Sequence, residues 1–138
     1  MPIVLIEAPK GVREDAKKRM VEKMTDALDE AWHVPDVRIF IREYTAENVA
    51  QDGRFQSEPV RAVASLNVPQ LRSVDTKRKV AEKLQAAFAE AYADIANTSE
   101  FLVFMNEYPL ENAFHGGRLQ SDNPEIVDGM KLLNGVGV

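Results

Sequence analysis

Apolar and polar positions along the chain fall into two alternating regimes. Residues 2–8 (PIVLIEA) form a short apolar, β-branched run, which predicts a buried strand. Pro9, Lys10 and Gly11 interrupt it. From about residue 14 to residue 33, Met20, Met24, Ala27, Leu28 and Ala31 recur at helical spacing, and Trp32 extends the stripe. That pattern predicts an amphipathic helix with one buried face, stopped by Pro35. Residues 37–42 (VRIFIR) then predict a second strand with Val37, Ile39 and Ile41 on one face. Strand, helix and strand with a long crossover make a βαβ unit, whose strands are parallel and whose connection is right-handed.

The same pattern returns further on. Residues 61–68 (RAVASLNV) read as a strand, Ser73 as a helix N-cap and Asp75 as a first-turn acid. Val80, Leu84, Ala87, Phe88 and Ala91 form the helical stripe, and residues 101–105 (FLVFM) the closing strand. The repetition is literal after each unit. EYTAENVAQDGRFQSE (43–58) and EYPLENAFHGGRLQSD (107–122) agree at eight of sixteen positions without a gap. Asp15 aligns with Asp75 and Trp32 with Tyr92, with an insertion near residues 93–98 shifting the later register. A repeat changes the whole fold reading. Residues 1–58 form a first βαβ unit, and 59–138 a second unit with a tail, in one compact domain. Residues 51–59 read as a linker. The tail, 123–138, carries Ile126, Met130, Leu132 and Leu133 and is expected to lie against a neighbour. The predicted class is α/β (α+β): a four-stranded mixed sheet with two helices on one face. The other face stays bare, because Ile3, Leu5, Ile39 and Ile41 cannot all be covered by two helices. An apolar face of that size predicts oligomerisation, by an isologous dimer or a ring.

Composition narrows the function classes. The chain of 138 residues is 45% hydrophobic and 28% charged, with a net charge of −5. The acidic balance argues against nucleic acid or a membrane surface as partner, so an anionic ligand needs a local arginine cluster. There is no cysteine, hence no disulfide, thiolate nucleophile or cysteine metal site. Neither a membrane-spanning apolar run nor a signal peptide is read, and a cytoplasmic location is expected. His33 and His115 lie far apart without ligand spacing, so neither a metal nor a cofactor is expected.

Pro2 is the first candidate for chemistry. Methionine before a small residue is normally removed, which leaves a free prolyl secondary amine at the start of a buried strand. Burial and nearby arginines both lower an amine pKa. An α-amino group starts near 8, so a modest shift leaves it neutral and basic. It could then abstract a carbon-bound proton or attack a carbonyl. Should Met1 remain, Pro2 carries a peptide nitrogen and this chemistry is closed.

A Met-Pro start on a βαβ unit, with a VRI-type second strand, resembles the tautomerase superfamily, most nearly the fused, double-length relatives of 4-oxalocrotonate tautomerase. The resemblance spans nearly the whole chain. It implies a homotrimer of two-unit subunits with Pro2 as general base. The implied substrates are small 2-hydroxy-dienoic or 2-oxo acids, held as carboxylates by arginines. The family has an arginine just after the first strand's glycine. Here that place is Val12, with Arg13 one step later, and in the second half it is Arg72, in QLRSVD. Arg72 also matches an arginine of cis-3-chloroacrylic acid dehalogenase and is the first candidate carboxylate binder. Arg38 matches the family's second-strand arginine, where the second half has Leu102. The family's phenylalanine wall corresponds to Val49 in the first half and to Phe114 or its neighbours in the second. Phe104 stands where the dehalogenase has a tyrosine, His115 where it has a water-activating glutamate, and Leu28 where it has a histidine. The dehalogenase's polar set is therefore missing. His115, on a loop before Gly116-Gly117, is a candidate acid partner for Pro2.

The repeated Glu-Tyr, Glu-Asn and Gly-Arg pairs occur in both halves, whereas Pro2 occurs in one. They read as structural: a turn, a hairpin, and Arg54 and Arg118 pairing with acids. Taken together, the expectation is a cofactor-independent keto–enol tautomerase. Its catalytic set is Pro2, Arg72, Arg38 and His115, and Arg13, Phe104 and Phe114 bind substrate. The alternatives are a hydratase, decarboxylase or dehalogenase on a three-carbon acid, and a non-catalytic ferredoxin-like ligand-binding module.

Overall fold

The two helical stripes become two nineteen-residue helices, each between strands that lie parallel. The computed structural model describes residues 1–135, so the end of the predicted tail lies outside the described residues. Its elements run β1 (Ile3–Pro9), α1 (Glu14–Trp32), β2 (Arg38–Tyr44), a hairpin of β3 (Ala50–Gln51) and β4 (Arg54–Phe55), and β5 (Val63–Pro69). There follow α2 (Val74–Tyr92), β6 (Leu102–Tyr108), a second hairpin of β7 (Phe114–His115) and β8 (Arg118–Leu119), and α3 (Pro124–Asn134). The segment read as a linker, 51–59, thus contains the whole first hairpin except Ala50.

The main sheet has the order β2-β1-β5-β6. β1 and β2 are parallel, as are β5 and β6, and β1 meets β5 antiparallel at the centre. The register sets Ile3 opposite Asn67. The start of β1 and the end of β5 therefore share one end of the sheet, and the start of β5 and the end of β1 share the other. Ser73 caps α2 by accepting from the Thr76 N–H at 3.2 Å, relieving an orphan donor of the first turn. α1 has no such side-chain cap, but Glu14 and Asp15 in its first turn complement the helix dipole.

The helices bury their stripes against one face of the sheet. Val4, Ile6 and Ala8 of β1 and Ala64, Leu66 and Val68 of β5 meet Met20, Met24, Leu28, Val80, Leu84 and Phe88. Burying side chains of this size contributes roughly 1.5–3 kcal/mol each before entropy is counted. The helices are tied twice by reciprocal ion pairs, Lys23 to Glu90 and Lys83 to Glu30, which are the same pair seen from each half.

The bare face is real, but its membership differs from the sequence reading. Ile39 and Ile41 pair in register with Val4 and Ile6 and share their helix-covered side. A strand's side chains alternate, so a shift of one position exchanges the faces. The uncovered side holds Ile3, Leu5, Phe40, Leu102 and Phe104, the last three about half exposed. The tail also departs from expectation. Asn123 caps it, Pro124 opens it, and it forms α3, which lays Met130 into this chain's own core. Among the described residues no helix is long and apolar enough to cross a membrane.

Candidate active site

A cavity of about 570 Å³ opens where β1 begins, β5 ends and the second hairpin folds over. Its walls come from both halves. Met1 and Ile3 enter from β1, Asp36 and Arg38 from the start of β2, and Asn67 and Tyr108 from the ends of β5 and β6. Asn112, Ala113, Phe114, His115, Gly116 and Gln120 complete the rim. The hairpin is a two-residue turn with positive φ at Gly116 (59°) and Gly117 (83°), the combination that matches strand twist. It carries Phe114 and His115 to the rim. Pro2 itself is buried between Met1 and Ile3, and its carbonyl accepts the Arg38 N–H at 3.1 Å.

Arg38 does not stand free. Its guanidinium donates to both Asp36 oxygens, at 3.0 and 2.8 Å. This fork uses two of five N–H donors and leaves the others for a ligand. Asp36 sits at a positive φ of 70°, a conformation that costs a non-glycine residue free energy. Its carboxyl is held below the usual range, chiefly by the Arg38 hydrogen bond, with the Arg38, His115 and chain-terminal charges adding to it. His115 Nε2 stands 3.8 Å from Asp36 Oδ2. Burial pulls the Met1 α-amine down to about 6, although nearby Asp36 pulls the other way. An amine at this end of the sheet is therefore partly desolvated.

Tyr108 closes the floor. Its hydroxyl lies 3.2 Å from Gln120 Oε1 and 3.4 Å from the Met1 carbonyl oxygen. Gln120 is only 3% exposed, the one polar side chain of the buried set among the described residues. Burial pushes the Tyr108 phenol up. Sequence reasoning missed Asp36, Tyr108 and Gln120. The last two lie in the repeated segment, and their place in a repeat is what marked them as structural.

The structure brings Arg38, Phe114 and His115 together at the chain start. It leaves the other candidates outside this cavity. Arg72 follows β5 at the same end of the sheet, with an exposed side chain, and its N–H donates to Asn134 Oδ1 at 2.7 Å. Arg13 follows β1 at the opposite end and pairs with Asp15 at 3.2 Å. Phe104 lies on the bare face beside Ser65. The Gly-Arg pairs also differ from expectation. Arg118 donates to the Asp122 carbonyl rather than to an acid, and among the described residues Arg54 has no ion pair. The repeated Glu-Tyr pairs do have a structural partner, since Glu43 takes Lys17 at 2.6 Å and Glu107 takes Lys77 at 2.5 Å. His33 and His115, far apart in sequence, line one side cavity of about 290 Å³ with Asp36 and Glu125. Among the described residues no group of three or more such side chains is placed to hold a metal ion.

The fold has parallels among solved structures. The chain superimposes on a native fused 4-OT with a TM-score of 0.76 at 19% identity, covering 88% of this chain and 98% of that one. The fold is that of the fused 4-OT proteins. Pt0534 inactivated by 2-oxo-3-pentynoate matches at a TM-score of 0.72 and 21% identity, over 85% and 94% of the two chains. N1, of the cis-3-chloroacrylic acid dehalogenase family, matches at 0.70 and 16%, over 91% and 99%. No family model and no curated protein matches the sequence.

Proposed function

We propose that the protein is a cofactor-independent tautomerase of small 2-hydroxy-dienoic or 2-oxo acids, with the Pro2 amine as general base. The observation that carries this reading is the cavity itself. It closes over the chain start and sets a cation, Arg38, and a titratable group, His115, around it. The neutral prolyl nitrogen takes the proton from the 2-hydroxyl group of the dienol, and the resulting prolyl ammonium returns a proton to carbon. Substrate and product differ only in where that proton sits. The free donors of Arg38 hold the carboxylate and face the charge of the dienolate. Arg72 and Arg13 lie outside the cavity of their own protomer, so they would act in a site completed by a neighbouring protomer. A homotrimer is proposed on two grounds: several fused 4-OT relatives are trimers, and the bare apolar face of this chain needs a cover.

Ketonisation of phenylenolpyruvate or 2-hydroxymuconate by the chain processed to Pro2 tests the reading. Turnover that survives in Pro2→Ala removes Pro2 as the base. The Asp36–His115 pair favours a second reading, in which it activates water for hydration or dehalogenation of a three-carbon acid. Turnover of such an acid without ketonising activity would select it.

A further inference from the structure

We infer that Tyr108, locked by the buried amide of Gln120, is a positioning residue for the Pro2 amine. Its phenolic oxygen accepts the amine N–H and turns the nitrogen lone pair into the cavity. The inference deepens the tautomerase reading and rests on it.

A phenol has one proton to give. Gln120 Oε1 can only accept, and it lies nearer the hydroxyl than the Met1 oxygen does, 3.2 against 3.4 Å. The Met1 oxygen, to which the hydroxyl can also donate, is two bonds from the Pro2 nitrogen, so after Met1 is removed the amine is what Tyr108 faces. Gln120 Oε1 is then the acceptor that remains, so the phenol proton goes to it and the Tyr108 lone pairs face the chain start. A neutral secondary amine has one N–H and one lone pair. With the N–H held on Tyr108, the lone pair points to the substrate. The Gln120 backbone is itself tied down, since its N–H donates to the Ala113 carbonyl at 2.9 Å.

Packing alone does not explain the pair, because the first half builds the same motif differently. Tyr44, the counterpart of Tyr108, donates to Glu7. Gln56, the counterpart of Gln120, is exposed at a positive φ of 55°. Only the second copy converges on the chain start.

The sign follows from the direction of the bond. An acceptor stabilises the ammonium form, so its loss lowers the amine pKa. The other charged groups facing the amine are Asp36 and Arg38, at the start of β2, and His115 on the hairpin. Asp36 raises its pKa, and Arg38 and protonated His115 lower it. All three remain in a Tyr108→Phe variant, which deletes one hydroxyl.

The test is a titration of Pro2 in the processed chain, by ¹⁵N NMR on proline-labelled protein, together with the pH profile of kcat/KM for phenylenolpyruvate. Tyr108→Phe should lower the Pro2 pKa by about half a pH unit or more, and the acid limb of the profile should move with it. Gln120→Leu should shift it the same way with Tyr108 in place, because the freed phenol proton then turns to the nitrogen and favours the neutral amine. An unchanged or raised Pro2 pKa in Tyr108→Phe overturns the inference, even where wild-type activity upholds the tautomerase reading. A lowered pKa in a wild-type protein that ketonises neither substrate upholds the hydrogen bond and removes that reading alone.

Discussion

The duplication gives this chain two cavities at opposite ends of one sheet, and only one of them has a chain start in it. Met1, Ile3, Asn67, Tyr108, Asn112, Ala113 and Phe114 line the first, of about 570 Å³. Arg61, Val63, Glu7, Tyr44, Asn48, Val49 and Ala50 take the same places in the second, of about 400 Å³. In the second, Ala62 stands where Pro2 does, and its peptide nitrogen has no basic lone pair. Leu102 stands where Arg38 does. The cation there, Arg61, is already committed to Glu58, at 2.7 and 2.9 Å, and to Asp52 at 3.2 Å. The Arg61 bonds to Glu58, with Asn97 helping, hold the Glu58 carboxyl down at about 2. Repetition therefore copies the scaffold, while the proposed chemistry rests on a chain-terminal amine, which a repeat inside a continuous chain cannot carry.

The largest expected effect comes from the amine. Pro2→Ala should lower kcat/KM by about 10²-fold or more, whereas Glu58→Gln, which frees the mirror cavity's Arg61, should leave it unchanged. A fall in activity in the second variant would break the asymmetry. Next is Arg38→Ala, expected to lower kcat/KM by about 10²-fold. Arg38→Lys should recover little of it, because lysine cannot fork on a carboxylate.

A stability comparison sharpens the same contrast. Trp32 donates its indole N–H to the Pro69 carbonyl at 3.0 Å, whereas its counterpart Tyr92 is the one residue with an unpartnered buried side-chain polar atom among those described. Trp32→Phe should cost about 2 kcal/mol, from a lost hydrogen bond and a smaller side chain. Tyr92→Phe should be neutral or stabilising by up to about 1 kcal/mol, because it deletes an unsatisfied hydroxyl. Urea unfolding reads both, and equal losses would contradict the contrast.

The smallest effect is in pH dependence. Glu58 has its folded pKa depressed to about 2, below its unfolded value. Its contribution to stability is complete above the unfolded pKa and is lost as pH falls toward 2. Glu58→Gln should flatten the stability profile between about pH 4 and 2 and leave its shape at neutral pH unchanged. An identical acid limb in both proteins would mean that Glu58 gains nothing from Arg61 on folding.

Much of this was legible in the chain. The stripes of Met20, Met24 and Leu28 and of Val80, Leu84 and Phe88 are locally periodic, so they gave both helices, and the literal repeat gave the sheet's symmetry. What failed was set by register and by chain reversal. Ile39 changed faces because a strand's parity is decided by its partner. Residues 123–134 read as part of a tail with a glycine-rich end, although Ile126, Met130 and Leu133 recur at helical spacing. Pro2, Arg38, Phe114 and His115 stood out as residue types. Asp36, Tyr108 and Gln120 did not, because nothing in the sequence distinguishes a motif copy that meets the chain start from one that does not.

The most direct test is covalent. The processed chain would be treated with 2-oxo-3-pentynoate and its modified residue located by mass spectrometry. A neutral prolyl nitrogen adds to the alkyne carbon conjugated with the ketone, and the neighbouring carbon takes a proton, so the mass rises by one intact reagent. The account predicts one adduct per chain, on Pro2. No adduct, or an adduct on a residue other than the chain-terminal one, would contradict the claim that the reactive amine sits in one of the two cavities.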